Sequence, residues 1–473
     1  MIGVPPELLR CLQVHRQEHV LHDWHKLDAH QQNELVATLS MLDFDELHLL
    51  RQQVDTPNLT IPNSEIGPLP VSPASVTDTE RLLGQESLSR GEVAALVVAG
   101  GQGSRLGFDK PKGLFPVGPV SGASLFQIHA EKLLALGKRY GKPIPFLVMT
   151  SPATDADTRA FFQENRYFGL HHSDVIFFQQ GTMPAVCLQT GRLLLEGPGK
   201  LFLSPNGHGG TLTALAECGI LDELRSRRIR HVFYFQVDNP LVRVCDPGFL
   251  GRHIATRSEA SSKVVFKRTP EERVGVFALI DGKCGLIEYS DLPQELAKKR
   301  EPDGQLCYRA GNPAIHLFTL EFLERVISTG GLPYHMARKA VTHYDPVGET
   351  FVQATNEPNA LKFERFIFDA LPLAQRWLAM ETHRENEFAP LKNANGPDSP
   401  EAVRTAQIEL HARWLVSKGI PTHGHPVEIS PLFAMEAEEL AQKLPRNFTV
   451  TGPTVLREES MDSPMSAQVR RSK

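Results

Sequence analysis

The sequence has few cysteines and no long apolar run, and both absences narrow the classes of protein it can encode. Its six cysteines include no C-x-x-C pair, so neither a zinc ribbon nor a dithiol redox centre is indicated. No apolar stretch approaches the roughly 20 residues that a membrane helix needs. The first ten residues lack the basic and apolar segments of a secretory signal. We therefore expect a cytoplasmic protein with free thiols and no membrane partner.

The sequence also lacks an excess of positive charge. The chain carries 50 lysines and arginines against 55 aspartates and glutamates, a formal net charge of -5. Proteins that bind nucleic acid usually show a basic surplus, so a nucleic-acid partner is not expected. The 473 residues exceed one ordinary hydrophobic core, which predicts two or three domains.

Two common phosphate-binding motifs are missing as well. The chain contains neither a G-x-x-x-x-G-K-[ST] loop nor a G-x-G-x-x-G fingerprint. Residues 98–113 nevertheless read V-A-G-G-Q-G-S-R-L-G-F-D-K-P-K-G, directly after an apolar run. Glycines let backbone N–H groups approach an anion closely, and Arg105 and Lys112 add positive charge beside them. This combination indicates a loop that binds a polyphosphate.

Apolar runs alternate with helical patterns beyond Val93. The runs are Ala94–Ala99, Ile144–Met149, Val175–Phe178, His231–Val237 and Lys263–Phe266, and the helical patterns include Ser124–Leu136 and Thr211–Leu224. The alternation predicts an α/β sheet, mostly parallel, that binds its ligand at the carboxyl ends of the strands. Residues 273–290 predict a hairpin that turns at Asp281-Gly282.

Composition divides the chain into four predicted segments. Residues 1–90 form a mainly helical N-terminal region that contains a Pro-, Asn- and Ser-rich linker or extended arm at 56–76. Residues 91–385 form the central domain. Residues 386–458 form a small C-terminal domain with a helix over 401–418, and the polar tail 459–473 is predicted to be disordered.

Several polar residues follow predicted strands and are therefore candidate ligands. Asp238 suits Mg²⁺, which takes few protein carboxylates and completes its shell with phosphate oxygens and water, although an Asx turn would also place an aspartate there. The amide of Gln180 can pair with a uracil edge. Glu288, Gly311 and Asn312 are candidates for sugar hydroxyls, with plain loop structure as the alternative. Lys362 alone would be interpreted as a solvated lysine on a helix face.

The ordered motifs resemble those of the eukaryotic-type UDP-N-acetylhexosamine pyrophosphorylases, from about Leu21 to Leu444. They include A-G-G-Q-G-S-R-L-G (99–107), P-K-G (111–113), F-F-Q-Q-G (177–181), H-V-F-Y-F-Q-V-D-N (231–239), A-G-N-P-A-I-H (310–316), E-P-N-A-L-K-F-E-R-F-I-F-D (357–369) and F-A-P-L-K-N (388–393). At Gln102 the sequence resembles the N-acetylhexosamine enzymes, whereas the related UDP-glucose enzymes usually carry a different residue at this position.

The resemblance implies a Rossmann-like nucleotidyltransferase (GT-A-like) mixed sheet flanked by helices, with a helical N-terminal region and a small C-terminal domain. It implies a uridylyltransferase that uses Mg²⁺, UTP and an N-acetylhexosamine 1-phosphate. The implied nucleotide-binding residues are Val98, Ala99, Gly100, Gly101, Gly103, Gln180, Gly207 and His208. The implied phosphate contacts are Arg105, Lys112 and Lys362, the metal ligand is Asp238, and the sugar-binding residues are Gly275, Glu288, Tyr289 and Asn312.

One departure from the family pattern concerns sugar choice. The family usually has D-G-N-G-G where this chain has Asn206-Gly207-His208-Gly209-Gly210, so His208 replaces a small amide. The choice between N-acetylglucosamine and N-acetylgalactosamine therefore stays open. A broader UDP-sugar pyrophosphorylase acting on glucose or galactose 1-phosphate is one alternative, and a non-catalytic regulator that binds UTP or a UDP-sugar is another. The sequence does not determine the oligomeric state.

Overall fold

A computed structural model describes residues 3–52 and 64–458. The helices are α1 Pro6–Val14, α2 Ala29–Ser40, α3 Phe44–Gln52, α4 Asp78–Arg90, α5 Leu125–Tyr140, α6 Asp155–Glu164, α7 Thr211–Glu217, α8 Ile220–Ser226, α9 Pro247–Ala255, α10 Gln294–Lys298, α11 Leu320–Ser328, α12 Arg384–Glu387, α13 Pro400–Ser417 and α14 Ala437–Lys443. Within the described residues no helix is both long enough and apolar enough to cross a bilayer.

The strands fall in three stretches of the chain. The first holds β1 Ile66–Pro68, β2 Val93–Val98, β3 Phe146–Thr150, β4 Val175–Gln179, β5 Thr182–Pro184, β6 Val186–Cys187, β7 Leu195–Gly197, β8 Lys200–Leu201 and β9 Leu203–Pro205. The second holds β10 His231–Gln236, β11 Ala260–Phe266, β12 Val276–Ile280, β13 Lys283–Ile287, β14 Ala310–Gly311 and β15 His316–Thr319. The third holds β16 His335–Lys339, β17 His343–Asp345, β18 Thr350–Val352, β19 Ala360–Glu364, β20 Trp377–Glu381, β21 Val427–Ile429 and β22 Thr454–Leu456.

The chain forms two compact units. The first consists of Met1–Ser64, Gln180–Thr213 and Gly331–Asp369, and the second of Glu65–Gln179, Ala214–Gly330 and Ala370–Lys473. The boundaries predicted from composition, at residues 90, 385 and 458, stay a prediction. The predicted tail and residues 56–63 of the predicted arm lie outside the described residues, whereas the rest of the arm includes the short strand β1.

The second unit is built on a large mixed sheet in the order β1-β12-β14-β11-β15-β10-β2-β3-β4. The neighbours β10, β2, β3 and β4 run parallel, whereas β15 is antiparallel to both β10 and β11. The expectation of a mostly parallel sheet is therefore wrong for strands β11 to β15, which come after β10 in the chain. Helices no longer separate each successive pair of strands in that part of the chain. The mixed sheet implied by the family resemblance is confirmed.

The strands that position the site are almost completely apolar. In β2 the residues from Val93 to Val97 are all buried, as expected for a strand covered on both faces. Aromatic side chains of α5 and β10, including Phe126, Phe233 and Phe235, fill the core beside them. Helix α5 begins where the Ser124 side chain accepts a hydrogen bond from the Gln127 amide, and it ends at the left-handed Gly141.

Two predicted details of the second unit are confirmed. Strands β12 and β13 form the predicted hairpin, and Asp281 and Gly282 both have positive φ, as a two-residue type I′ turn requires. The C-terminal residues form helix α13 and the parallel pair β21–β22. They share a small apolar core that includes Leu415, Val427 and Leu440.

The first unit combines the N-terminal helices with small antiparallel sheets. These sheets have the orders β16-β19-β6, β18-β17-β7-β8 and β5-β9. Leu12 and Leu39 from the helices are buried with Leu195, Leu361 and Phe363 from the strands. Segments that are far apart in sequence therefore share one core.

Candidate active site

The glycine-rich segment forms a closed loop at the carboxyl end of β2. The loop is held by hydrogen bonds from Gly103 N to Lys110 O (2.9 Å) and from Lys112 N to Gly101 O (3.0 Å). A Cβ on Gly103 would lie 2.7 Å from Phe108 O, whereas one on Gly101 would meet nothing within 4 Å. Gly103 is thus required by packing, and Gly101 faces open space. Within the described chain the amides of Gly100 and Gly101 have no backbone acceptor, which leaves them available to an anion.

Asp238 and Lys112 meet beside this loop. Because β10 is parallel to β2 with Gln236 opposite Val98, the segments that follow the two strands emerge side by side. Val237 N donates to Val98 O at 3.1 Å. Lys112 Nζ lies 3.5 Å from Asp238 Oδ2, and Arg105 is exposed on a single turn of 3₁₀ helix, Ser104–Leu106. The structure therefore brings together one carboxylate, a lysine and free backbone amides.

Two charged residues that the sequence reasoning missed lie close to Asp238. Leu391 N donates to Asp238 O at 2.8 Å, and Lys392 N donates to Asp398 O at 2.8 Å. Burial raises the pKa of Asp398, Lys392 lowers it, and the charge of Asp238 raises it further. Both residues therefore belong to the electrostatic surroundings of Asp238. The sequence signal that points to this segment is the F-A-P-L-K-N motif (388–393), which contains Lys392.

Asp238 fits a magnesium ion that is held mainly by its substrate. Within residues 3–52 and 64–458 no group of three or more His, Cys, Asp or Glu side chains could form an all-protein metal site. Asp238 supplies one carboxylate beside the amide-lined loop. Mg²⁺ typically binds one or two carboxylates and takes its other ligands from phosphates and water. The residues present therefore suit Mg²⁺ bound together with a nucleotide.

The predicted sugar-binding residues gather at one end of neighbouring strands in the same unit. Asn312 N donates to Gly275 O at 2.9 Å. Val276 pairs with both Ile287 and Gly311. Glu288, which follows Ile287, therefore lies near Gly275 and Asn312. Tyr289 follows and is 48% exposed. Strands β10 and β11 point the same way, because both are antiparallel to β15. Val265 of β11 pairs with Gly311, which places the cluster near the carboxyl end of β11.

The first unit holds the remaining predicted residues. Gly207 has φ +83°, and a Cβ there would lie 2.5 Å from Arg365 O, so only glycine fits. Gln180 is buried. Lys362 lies on strand β19, so the alternative of a solvated lysine on a helix is wrong. Its Nζ is 4.9 Å from the centre of the Phe202 ring, and burial lowers the pKa of this lysine.

His208 has a structural role within its own unit. Its Nδ1 accepts a hydrogen bond from Ile367 N at 3.2 Å, and its ring lies 5.4 Å from Phe366 and 5.7 Å from Phe368, centroid to centroid. Burial, aided by the charge of His335, lowers the pKa of His208 to about 4. The imidazole is therefore neutral near pH 7.

The sequence is similar to a known protein family and to a known yeast protein. The family model described as UTP–glucose-1-phosphate uridylyltransferase matches residues 47–408. The chain is 37% identical over 462 residues to the UDP-N-acetylglucosamine pyrophosphorylase of Saccharomyces cerevisiae, covering 92% of this chain and 96% of the yeast protein. The chain belongs to the UDP-N-acetylhexosamine pyrophosphorylase family.

Two further members of this pyrophosphorylase family agree over nearly the whole length. UDP-N-acetylglucosamine diphosphorylase 1 of Arabidopsis thaliana is 36% identical, covering 92% of this chain and 90% of its own. The crystal structure of the uridine diphosphate N-acetylglucosamine pyrophosphorylase from Trypanosoma brucei superposes with a TM-score of 0.80 at 28% identity, covering 98% of this chain and all of that one. The family resemblance predicted from the motifs is confirmed.

Proposed function

We propose that this protein makes UDP-N-acetylglucosamine and pyrophosphate from UTP and N-acetylglucosamine 1-phosphate. The observation that carries the proposal is the Lys112–Asp238 contact of 3.5 Å beside the free amides of the glycine loop. Polyphosphate binding needs donors and positive charge, and a bound cation needs a carboxylate at the same place. The names of the relatives support the N-acetylated sugar over glucose or galactose 1-phosphate, and they favour an enzyme over a non-catalytic regulator.

The reaction is an in-line displacement at the α-phosphorus of UTP. An oxygen of the sugar phosphate forms the new P–O bond while the bond from the α-phosphorus to the oxygen bridging to the β-phosphate breaks, and that oxygen's electron pair leaves with pyrophosphate. No covalent enzyme intermediate is required. Catalysis then consists of holding the two phosphates in line and neutralising their charge.

This chain's own residues have separate roles in that step. The amides of Gly100 and Gly101, with Arg105 and Lys112, bind the phosphates that leave. Asp238 would hold Mg²⁺, which when bound neutralises phosphate charge. Lys362 contacts the α-phosphate or the incoming phosphate, and its lowered pKa makes its charge sensitive to the surroundings.

The remaining roles concern recognition of the base and the sugar. Gln180, Gly207 and His208 are assigned to uracil and ribose, and Gly275, Glu288, Tyr289 and Asn312 to the sugar. All six cysteines are free thiols, which supports a reducing, cytoplasmic location.

The test is pyrophosphate release from UTP and Mg²⁺ with four sugar 1-phosphates: N-acetylglucosamine, N-acetylgalactosamine, glucose and galactose. The highest kcat/KM is expected for N-acetylglucosamine 1-phosphate. A preference for glucose or galactose 1-phosphate would support the broader UDP-sugar pyrophosphorylase instead. UTP binding without pyrophosphate release from any of the four would support the regulator.

A further inference from the structure

The carboxylate of Asp238 has little holding it directly. Within the described residues its one side-chain hydrogen bond or ion pair is with Lys112 at 3.5 Å, which is at the long limit of a hydrogen bond. The position of the carboxylate therefore depends on the backbone of residues 237–242. Several buried polar side chains of the second unit bind this short stretch.

The Asn239 side chain makes three hydrogen bonds, through both its donor and its acceptor atom. Its side chain is buried, and its Nδ2 donates to Glu387 O at 2.8 Å. Its Oδ1 accepts from Ala389 N at 3.1 Å and from Leu241 N at 3.3 Å. One side chain thus joins the Asp238 segment to residues 387–389, three residues before Lys392.

Glu387 is itself fixed by a buried ionic cluster. Lys263 Nζ lies 2.6 Å from both carboxylate oxygens of Glu387 and 2.8 Å from Asp246 Oδ2. Lys263 is 2% exposed and Glu387 is 1% exposed. Thr382 Oγ1 donates to the same carboxylate at 2.6 Å. Buried charges are tolerated when they are paired and hydrogen-bonded, and breaking such a pair is strongly destabilising, so this cluster is a rigid point of attachment.

Helix α5 also binds the Asp238 segment. His129 Nε2 bonds to Val237 O at 3.0 Å, and Lys132 Nζ donates to Val242 O at 2.8 Å. Residues that precede and follow Asp238 in the chain are therefore bound by side chains from elsewhere in the unit.

We propose that Asn239, supported by the buried Lys263–Glu387–Asp246 cluster, is a positioning residue that sets the metal-binding carboxylate of Asp238 in register with the segment that carries Lys392. This inference rests on the proposed function of Asp238. Asn239 acts through Asp238, because its side-chain hydrogen bonds all go to backbone groups, two of them on Glu387 and Ala389 and one on Leu241 of its own segment. Partners of metal ligands typically affect metal affinity or activity by about 10–100-fold when mutated.

The test compares Asn239→Ala with Asn165→Ala, a matched change in the same unit. The Asn165 side chain is exposed and bonds only to Phe161 O at 2.8 Å. Binding of Mn²⁺ in the presence of UTP is followed by the EPR signal of free Mn²⁺, and kcat and the Mg²⁺ concentration for half-maximal rate are measured in parallel. Thermal melting reports whether each variant is folded.

The expected result is a folded Asn239→Ala protein whose Mn²⁺–UTP affinity and kcat fall by about 10–100-fold, with both values within twofold of wild type in Asn165→Ala. Folded Asn239→Ala with unchanged affinity and kcat would overturn the proposal. Asn239→Asp keeps the two acceptor bonds, but it replaces the donor to Glu387 O with an oxygen that this carbonyl repels and adds a buried negative charge, so a loss of kcat is expected for it as well. If neither Asn239 variant folds, Asn239 is a structural residue and the proposal is rejected.

The proposed function can fail separately from this inference. A wild-type protein that releases no pyrophosphate would contradict the function, yet it would still allow the Mn²⁺–UTP affinities of the variants to be compared. An active wild type with an unaffected Asn239→Ala variant would contradict only the inference.

Discussion

The backbone N–H of Ile367 donates a hydrogen bond to Nδ1 of His208. Since Nδ1 is the acceptor and the ring is neutral near pH 7, the proton must lie on Nε2. His208 therefore presents a fixed donor, whereas the small amide found at this position in the family can donate and accept.

A fixed donor predicts how His208 variants behave. His208→Phe removes the Nε2 donor as well as the Nδ1 acceptor of the Ile367 N–H. Loss of the donor is expected to raise the KM for UTP or for the sugar 1-phosphate by about tenfold, the value of one lost hydrogen bond. His208→Asn restores the family residue and is expected to stay within a few-fold of wild type. Steady-state kinetics with the four sugar phosphates measures both. An unchanged KM for every substrate in His208→Phe would show that Nε2 touches neither substrate.

Lys112→Ala is expected to lower kcat by about 10²–10³-fold, because it removes a preorganised charge from the phosphate site. Asp238→Ala should cause a loss of the same order. The control is Lys110→Ala, an exposed lysine in the same loop whose backbone carbonyl, rather than its side chain, holds Gly103. Near-native turnover of both Lys112→Ala and Asp238→Ala would contradict the site.

Alanine substitutions at the two loop glycines, Gly103 and Gly101, are expected to affect different properties, stability in one case and UTP affinity in the other. Gly103→Ala forces a Cβ against Phe108 and should reduce the free energy of unfolding by about 1–3 kcal/mol. Gly101→Ala meets no protein atom within 4 Å, so its melting temperature should stay unchanged while its affinity for UTP falls, because a methyl group obstructs the phosphates. Calorimetry of melting and of UTP binding separates the two effects. Native UTP affinity in Gly101→Ala would place the phosphates elsewhere.

The lowered pKa of Lys362 predicts an alkaline loss of activity. Burial is the main cause, and the like charge of Lys339 adds to it. If the ammonium form binds phosphate, kcat/KM for UTP should fall as pH rises through a pKa below the ordinary lysine value of 10.5. Lys362→Arg should move this limb to higher pH, and Lys339→Gln should move it the same way by less. If neither variant shifts the alkaline fall of kcat/KM, that fall reports the titration of a group other than Lys362.

Part of the fold and site could be predicted from the sequence because the signals are local. The apolar runs before Gly100 and Asp238 identified β2 and β10, and the Asp281-Gly282 dipeptide identified a hairpin. The placement of Lys392 and Asp398 could not be predicted, because it depends on a chain segment that returns to Asp238 from about 150 residues further on. Strand direction beyond β10 was also missed, since alternation of strands and helices carries information only while helices continue to connect the strands.

The first unit takes its residues from three stretches, and its central strand β19 pairs Leu361 with Val186. During synthesis the N-terminal helices therefore emerge long before the strands that complete their core. The unit cannot close until the ribosome has passed about residue 369. Non-local pairings of this kind fold slowly and leave apolar surface exposed in the meantime. The leucines of α1 and α2 thus wait for their strand partners until late in synthesis.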